Sequence, residues 1–282
     1  MIDVIIVGAG PAGVSAALYL QRFGYKTLIF NHQKTAMAGA KIENYYGFED
    51  GISGDELFAK GIQQAKNLGA DVLNEEVLAI EYLGNDFIVK TKESESKAKV
   101  LVLAIGQKKR KPRIENIDKF EAKGLSYCAV CDGFFYKNQT VGVLGTGDFA
   151  LQEANYLSNL SKVILFTDGK DLPSDFETYQ EKIVKINGDE KLESVTLADG
   201  KEIPLAALFI AMGSAGADDF ANQLGLISKD SVFLVDEDGK TNVDGCYAIG
   251  DCTGGLLQIA TAVNEGAKAA IAINKYIRSL KE

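Results

Sequence analysis

A glycine-rich turn between an apolar segment and a helix-forming segment occurs twice in the chain, and it constrains the fold more than any other feature. The first copy, GAGPAG at residues 8–13, follows the apolar run Val4–Val7. The second copy, GTGDFA at residues 145–150, follows an apolar segment that begins at Thr140. A strand, a glycine turn and a helix in this order form a dinucleotide-binding unit. The repeat therefore predicts an α/β protein with two Rossmann-like dinucleotide-binding-type domains.

Each glycine of the first turn has its own physical role in such a unit. Gly8 makes the tight turn, Gly10 lets the backbone approach a pyrophosphate, and Gly13 permits close helix packing. The helix N-terminus attracts the negative charge of the phosphates. We expect a dinucleotide cofactor to contact the whole turn, including Pro11 and Ala12. For the second turn the alternative, a strand-to-helix turn that binds nothing, stays open.

Two later segments indicate that the dinucleotide is a flavin. The apolar run from Val100 ends in a small-residue turn with Ala104 and Gly106, which resembles the A-T-G element of flavoproteins. Near the C-terminus, a buried strand leads to Gly250 and Asp251, and a long amphipathic helix follows from about residue 258 to 280. The Asp251 carboxylate suits a sugar hydroxyl, although a turn or cap role is the alternative.

Composition excludes several classes of function. The 282 residues are 46% hydrophobic, which allows a sizeable core and two domains. A formal net charge of -9 argues against general nucleic-acid binding. We find no apolar run of the ~18 residues that a membrane span needs, and the N-terminal apolar run is typical of a buried strand rather than a signal peptide. These features predict a cytoplasmic protein that binds neither nucleic acid nor membrane.

The cysteines indicate redox chemistry. Cys128 and Cys131 form a C-x-x-C pair followed by Asp132, and such a pair can close a small disulfide ring. A structural zinc site usually needs four Cys or His ligands, but His32 is the only histidine. Cys246 and Cys252 have a spacing that fits a zinc site poorly, so we expect no metal. We expect those two cysteines to be packed small residues.

The segment GLSYCAVCDGFFY at residues 124–136, which leads directly into the second glycine turn, resembles the active-site region of low-molecular-weight thioredoxin reductases. The segment IENYYGF at residues 42–48 is similar to the family's flavin-adjacent E-N-x-x-G-F motif, and Gly250, Asp251, Gln258 and Ile259 lie where the family closes its FAD site. The resemblance implies FAD as cofactor, Asn44 among its contacts, and a homodimer. It also implies a discontinuous FAD-binding domain at residues 1–112 and 242–282, with a dithiol domain at residues 113–241 inserted between them.

The resemblance assigns roles to the three residues of the dithiol motif. Cys131 would take electrons from reduced FAD, and Cys128 would attack the disulfide of thioredoxin through a mixed disulfide. Asp132 would act as general acid or base for the leaving thiol, with a helix cap as the alternative.

The chain departs from the family where the NADPH-dependent members bind their nucleotide. Those members carry His-Arg-Arg after the second strand of the inserted domain, because guanidinium groups pair with the 2'-phosphate. Here the corresponding residues are Thr167, Asp168 and Gly169, and a carboxylate would repel that phosphate. Leu257 replaces the arginine that precedes Gln258, and the stretch after Leu172 looks shortened. NADPH dependence is therefore not the favoured interpretation.

Two electron donors remain consistent with the sequence. Asp168 could bind the 2'-hydroxyl of NADH, since an acid at this position usually reads an unphosphorylated ribose. We favour the other donor, reduced ferredoxin, because the chain resembles the ferredoxin-dependent flavin thioredoxin reductases in size, retained dithiol and lost nucleotide-binding residues. The basic segment from Lys108 to Arg113 could steer an acidic ferredoxin, or it could be a solvated linker. A non-catalytic FAD-binding regulatory protein is the alternative from another class.

Overall fold

The computed structural model describes residues 2–32, 37–106, 112–121, 123–127, 129–212, 217–229 and 232–280, and it describes only the backbone of Val130, Cys131 and Asp218. The helices in these ranges are α1 (Pro11–Arg22), α2 (Gly54–Asn67), α3 (Ala129–Asp132), α4 (Asp148–Ser158), α5 (Ala217–Leu224) and α6 (Ile259–Ser279). None of them combines the length and apolar character that a bilayer crossing needs.

The strands of the same ranges belong to six sheets. In chain order they are β1 (Val4–Val7), β2 (Thr27–Phe30), β3 (Lys41–Ile42), β4 (Ile52–Ser53), β5 (Asp71–Leu73), β6 (Ala79–Tyr82), β7 (Phe87–Lys90), β8 (Glu95–Ala98), β9 (Val100–Leu103), β10 (Leu125–Ser126), β11 (Thr140–Leu144), β12 (Lys162–Phe166), β13 (Glu177–Tyr179), β14 (Ile183–Asn187), β15 (Ser194–Leu197), β16 (Glu202–Pro204), β17 (Ala207–Ile210), β18 (Ser228–Lys229), β19 (Val232–Phe233) and β20 (Cys246–Ala248).

The chain divides into two compact units, one formed by Met1–Lys108 with Gly216–Glu282 and the other by Lys109–Ala215. The first boundary lies close to the one predicted at residue 112. The second lies near residue 215, whereas the sequence placed it at residue 241. Residues 217–241 lie in the first unit because α5 packs against β6, where the Ile80 amide donates to Gln223 Oε1 at 2.9 Å.

The first unit is built on a parallel sheet with strand order β20-β9-β1-β2-β5. Its central strands are buried along their whole length, as expected for a parallel sheet that is covered on both faces. Helices α1 and α6 pack closely, since a Cβ on Gly266 would lie 2.3 Å from the Ala12 carbonyl oxygen. Parallel strands present their carboxyl ends at one edge, where α/β proteins bind ligands.

The second unit repeats this architecture with strand order β10-β17-β11-β12-β13, again parallel throughout. A strand, a glycine turn and a helix follow one another as β11, residues 145–147 and α4. The antiparallel sheet β14-β15-β16 completes the unit. Both units thus confirm the predicted α/β fold with two Rossmann-like domains.

The connection between β12 and β13 differs from an ordinary Rossmann crossover. Parallel neighbours are usually joined through a helix. Residues 167–176, which join these two strands, are all described, and none of them is helical. The connection includes the start of the stretch after Leu172 that looks shortened in the sequence.

Candidate active site

The first glycine turn packs tightly against the protein at its first and last glycines and leaves open space at its middle glycine. Gly8 has a φ of +109°, and a Cβ there would lie 2.2 Å from the Ala104 carbonyl oxygen. A Cβ on Gly13 would lie 2.0 Å from the Gly8 carbonyl oxygen. A Cβ on Gly10 would meet no heavy atom within 4 Å. The backbone therefore packs tightly at both ends of the turn and leaves space at Gly10, as the pyrophosphate contact predicted from the sequence requires.

The predicted residues of the second segment lie beside this turn. The Ala104 amide donates to the Val7 carbonyl oxygen at 2.8 Å, which fixes the end of β9 against the end of β1. Gly106 follows with a φ of +74° and open space where a Cβ would stand. The structure thus brings Ala104 and Gly106 to the same sheet edge as residues 8–13.

Gly250 and Asp251 reach the turn from β20. A Cβ on Gly250 would lie 2.9 Å from the Ala12 Cβ, so the two segments are in close contact. The Gly250 amide donates to Glu265 Oε2 at 2.6 Å, an anchor on α6 that sequence reasoning missed. Burial raises the pKa of the half-buried Asp251 carboxyl. This carboxyl lies at the sheet edge, where it can accept a hydrogen bond from a sugar hydroxyl.

Two further predicted residues, far apart in the chain, are joined directly. Asn44 Nδ2 donates to Gln258 Oε1 at 2.9 Å. Gln258 occupies the N-cap position of α6, and Ile259 is the first residue of that helix. The contact brings the E-N-x-x-G-F segment and the start of α6 to one place in the first unit.

The end of β2 carries polar residues instead of the usual ribose-binding acid. Asn31 Nδ2 donates to Asn74 Oδ1 at 2.9 Å, and His32 Nε2 lies 3.3 Å from Glu76 Oε2. Both contacts join the end of β2 to residues that follow β5. The side chain at position 31 is thus already engaged with the protein.

These residues fit an FAD molecule. The open position at Gly10 and the start of α1 suit a pyrophosphate, and the carboxyl of Asp251, which follows β20 of the same parallel sheet, suits a sugar or polyol hydroxyl. A cluster of three or more His, Cys, Asp or Glu side chains that could hold a metal ion was not found among the described residues.

The dithiol motif lies in the second unit. Cys128 lies outside the described residues, and Cys131 belongs to the backbone of α3. The Asp132 side chain accepts a hydrogen bond from Ser126 Oγ, with 2.7 Å between Oδ2 and Oγ. Glu153 Oε2 accepts a hydrogen bond from the Ala129 amide at 2.7 Å. Sequence reasoning missed Ser126 and Glu153, although Glu153 lies at helical spacing from the buried Phe149 and Leu157 of α4.

The other two cysteines are buried free thiols in the first unit. Burial raises the pKa of both thiols to about 12. Cys252 Sγ also donates to the Ile249 carbonyl oxygen at 3.2 Å. Such thiols are protonated and inert at neutral pH. They pack as the small residues that the sequence predicted.

The second glycine turn packs against the neighbouring strand as tightly as the first one does. The two units differ in the residue that follows the next strand. A Cβ on Gly145 would lie 2.1 Å from the Ala211 carbonyl oxygen. Asp168 follows β12 in a left-handed conformation with a φ of +49°, and its Oδ1 lies 3.9 Å from Lys182 Nζ. Of the predicted basic segment, only Pro112 and Arg113 fall within the described residues.

Comparison with known proteins agrees with this geometry. A family model described as pyridine nucleotide-disulphide oxidoreductase matches residues 2–266. This chain belongs to that family. It is 31% identical to the thioredoxin reductase of Streptomyces coelicolor, in a match that covers 99% of this chain and 95% of that protein. The predicted resemblance to thioredoxin reductases is confirmed, and FAD is the cofactor of this flavoprotein oxidoreductase.

Two solved structures are also similar over nearly their full length. One is the atypical thioredoxin reductase TRi from Desulfovibrio vulgaris Hildenborough, with 38% sequence identity, a TM-score of 0.93 and 99% coverage of both chains. The other is a ferredoxin-flavin thioredoxin reductase from Clostridium acetobutylicum, with 33% identity, a TM-score of 0.78 and 98% coverage of both chains.

Proposed function

We propose that this protein is a thioredoxin reductase that passes electrons from reduced ferredoxin through FAD and the Cys128–Cys131 pair to the disulfide of thioredoxin. The observation that carries the proposal is the C-x-x-C motif at Cys128 and Cys131, followed by Asp132. The chain that contains this motif belongs to the pyridine nucleotide-disulphide oxidoreductase family and is similar to thioredoxin reductases along nearly its whole length. Bound FAD supplies the conversion of one-electron input into two-electron output.

The proposed exchange with thioredoxin proceeds through a mixed disulfide. The Cys128 thiolate attacks one sulfur of the thioredoxin disulfide, which forms a mixed disulfide and releases the other sulfur as a thiolate. Asp132, which Ser126 holds by a hydrogen bond, delivers the proton to that leaving thiolate. Cys131 then gives its proton to Asp132 and attacks the Cys128 sulfur, which forms the Cys128–Cys131 disulfide and releases the second thioredoxin sulfur as a thiolate that takes up this proton.

Two aromatic side chains offer a docking surface for the protein substrate. Phe134 and Phe135 follow the dithiol motif in the chain, and their exposed fractions are 68% and 74%. Large exposed aromatic residues are enriched at protein interfaces. We propose that they contact thioredoxin.

Three observations support ferredoxin as the electron donor. Asp168 stands where a phosphate-binding arginine would be needed, and a carboxylate repels the 2'-phosphate of NADPH. No helix joins β12 to β13 in residues 167–176. The similarity to the ferredoxin-flavin thioredoxin reductase of C. acetobutylicum points to the same donor. The segment from Lys108 to Arg113 remains our candidate for ferredoxin docking, and the homodimer remains a prediction.

NADH is the second candidate donor, since Asp168 follows the second strand of its Rossmann-like unit. An acid at this position can accept hydrogen bonds from the ribose hydroxyls of an unphosphorylated nucleotide. The Asp168 side chain is partly exposed, with a relative accessibility of 35%, so it can be reached by a ligand.

Turnover of thioredoxin by single-cysteine variants tests the proposal. Reduced ferredoxin, the purified flavoprotein and oxidised thioredoxin are mixed without oxygen, and the thioredoxin thiols are counted with time. Cys128→Ser should abolish thioredoxin reduction, whereas Cys246→Ala, a buried thiol in the other unit, should retain it. Retained turnover in Cys128→Ser would contradict the assigned role. A wild-type protein that reduces no thioredoxin with any donor would instead favour the non-catalytic regulatory protein.

A further inference from the structure

Side chains bind both of the peptide groups that flank Gly250. The Gly250 amide donates to Glu265 Oε2 at 2.6 Å. The carbonyl oxygen of the same peptide group belongs to Ile249, and it accepts from Cys252 Sγ at 3.2 Å. In the next peptide group, the Gly250 carbonyl oxygen accepts from Thr253 Oγ1 at 2.9 Å. Each of the two peptide groups is therefore held in one orientation.

Glu265 differs from the other two side chains because it belongs to another element. Cys252 and Thr253 follow Gly250 within three residues, whereas Glu265 lies on α6. Its contact joins a carboxylate to an amide, and such charge-assisted hydrogen bonds are shorter and stronger than neutral ones. Gly250 has a φ of +76°, and a glycine can leave such a conformation easily unless contacts hold it. The Glu265 contact is thus the strongest of the three hydrogen bonds that fix Gly250.

The part of α6 that carries Glu265 is itself packed against α1. Ser15 Oγ donates to the Val263 carbonyl oxygen at 2.7 Å. A Cβ on Gly266 would lie 2.3 Å from the Ala12 carbonyl oxygen, so the two backbones are in close contact there. These two contacts flank Glu265 along the helix. The Glu265 carboxylate is therefore anchored in a firmly packed part of the first unit.

The residue that follows Gly250 carries the carboxyl that we assign to FAD. Asp251 is half-buried, and burial raises the pKa of its carboxyl. Within the described part of the chain, this carboxyl accepts no hydrogen bond and forms no ion pair. A partly desolvated carboxyl is stabilised when a hydroxyl donates to it. The peptide group that Thr253 holds joins Gly250 to Asp251, so the backbone at Gly250 sets the direction in which the Asp251 side chain leaves the chain.

We propose that Glu265 is a positioning residue of the FAD site, which acts through the Gly250 amide to hold the Asp251 carboxyl where a hydroxyl of bound FAD can donate to it. This inference rests on the role of FAD in the proposed function, and it involves neither the dithiol nor the electron donor. Without the Glu265 acceptor, the Gly250 backbone would rotate more freely and Asp251 would be held less well. A binding group needs such support from neighbouring hydrogen bonds to keep its productive geometry.

A double-mutant cycle between Glu265 and Asp251 tests this role without thioredoxin. FAD is removed, circular dichroism verifies that each FAD-free variant is folded, and FAD is titrated back while its fluorescence is followed. Glu265→Met, unbranched and similar in volume, should raise the dissociation constant of FAD by about tenfold, since the Gly250 amide loses its acceptor. In the Asp251→Ala background the same substitution should raise the constant by less than about twofold, because no carboxyl is left to position.

Conservative substitutions separate the hydrogen bond from the charge. Glu265→Gln keeps an acceptor with the same reach, so the dissociation constant of FAD should stay within about threefold of wild type. Glu265→Asp keeps the charge but is one methylene shorter, and its dissociation constant should lie between those of the Gln and Met variants. If Glu265→Met does not fold, Glu265→Asp takes its place in the cycle.

An exposed glutamate on another helix of the same unit provides the matched control. Glu56 lies 3.4 Å from Lys60 on α2, with a side-chain accessibility of 57%. Glu56→Met should leave the dissociation constant of FAD within about twofold of wild type.

The results distinguish this inference from the proposed function. Equal weakening by Glu265→Met with and without the Asp251 carboxyl would mean that Glu265 only supports the fold, and it would refute the positioning role. Unchanged FAD binding by folded Glu265→Met, or by Asp251→Ala, would refute it as well. In these cases the proposed function would stand. A wild-type protein that binds no FAD would instead overturn the proposed function.

Discussion

The two glycine turns share a backbone but differ in the side chains around them. In both, a Cβ on the first glycine would lie little more than 2 Å from a carbonyl oxygen of the neighbouring strand's end, at 2.2 Å for Gly8 and 2.1 Å for Gly145. In the unit of the first turn, Asn44 donates a hydrogen bond to Gln258, and Gly250, which precedes Asp251, packs against Ala12 of the turn. After the second turn, β12 ends in Asp168 and continues into residues without a helix.

This difference distinguishes the backbone contacts that stabilise the fold from the side chains that bind a ligand. The glycine contacts at Gly8 and Gly145 are made to protein atoms, so the fold requires them whether or not a nucleotide binds. The polar side chains of Asn44, Gln258 and Asp251 are the ones that we assign to the cofactor. A glycine motif can therefore survive in a unit that no longer binds a dinucleotide.

Substitution of the most closely packed glycine in each turn should have the largest effect on stability. It should also show which of the two turns binds FAD. A Cβ on Gly13 would lie 2.0 Å from the Gly8 carbonyl oxygen, and a Cβ on Gly145 would lie 2.1 Å from that of Ala211. We expect Gly13→Ala and Gly145→Ala each to lower the free energy of unfolding by about 3 kcal/mol. Flavin absorbance should show FAD loss in Gly13→Ala alone. Equal loss of FAD from folded Gly145→Ala would contradict the claim that only the first turn binds FAD.

Gly10→Ala should weaken FAD binding without weakening the fold. Gly10 has a φ of -69°, and a Cβ there meets no heavy atom within 4 Å. The unfolding temperature of the FAD-free protein should therefore stay within about 2 °C of wild type, because no protein contact is lost. The dissociation constant of FAD should rise by about tenfold or more, since the methyl group occupies the space of the pyrophosphate. Gly61→Ala, whose Cβ would meet Val14 at 3.4 Å, is the control in mid-helix.

Gln258→Ala should weaken FAD binding by a smaller factor. The substitution removes the partner of Asn44 Nδ2 and leaves this amide to water. Loss of one exposed hydrogen bond is worth about 1 kcal/mol, so we expect a rise of about fivefold in the FAD dissociation constant. Fluorescence titration of the FAD-free protein with FAD measures this change. An unchanged constant would show that the Asn44–Gln258 pair is no part of the flavin site.

Asp168→Asn should have the smallest effect. Asparagine tolerates the left-handed conformation at position 168 and removes only the charge. Turnover of thioredoxin with reduced ferredoxin should stay within about twofold of wild type, since no nucleotide contacts this residue in our proposal. A KM for NADH that is measurable in the wild type and rises about tenfold in Asp168→Asn would instead identify the second turn as a nucleotide site.

The glycine turns made most of the scaffold predictable from sequence. The strand before the first glycine turn lies at Val4–Val7, as its apolar run predicted, and α6 was predicted within one residue at each end. The boundary near residue 215 was not predictable, because it depends on the packing of α5 against β6, a tertiary contact without a composition signal. Glu153 and Glu265 were missed for a similar reason. Each binds a backbone amide that is distant in the chain, and backbone amides leave no trace in a sequence.

The account's central claim is that the first glycine turn binds FAD and the second binds no nucleotide. Rapid mixing with the three candidate electron donors tests this claim most directly. The oxidised flavoprotein is mixed without oxygen with reduced ferredoxin, NADH or NADPH, and the flavin absorbance is followed. We predict that reduced ferredoxin bleaches the flavin and supports thioredoxin reduction, while neither nucleotide does. Rapid bleaching by NADH or NADPH would contradict the assignment and would mean that the second glycine turn still binds a nucleotide.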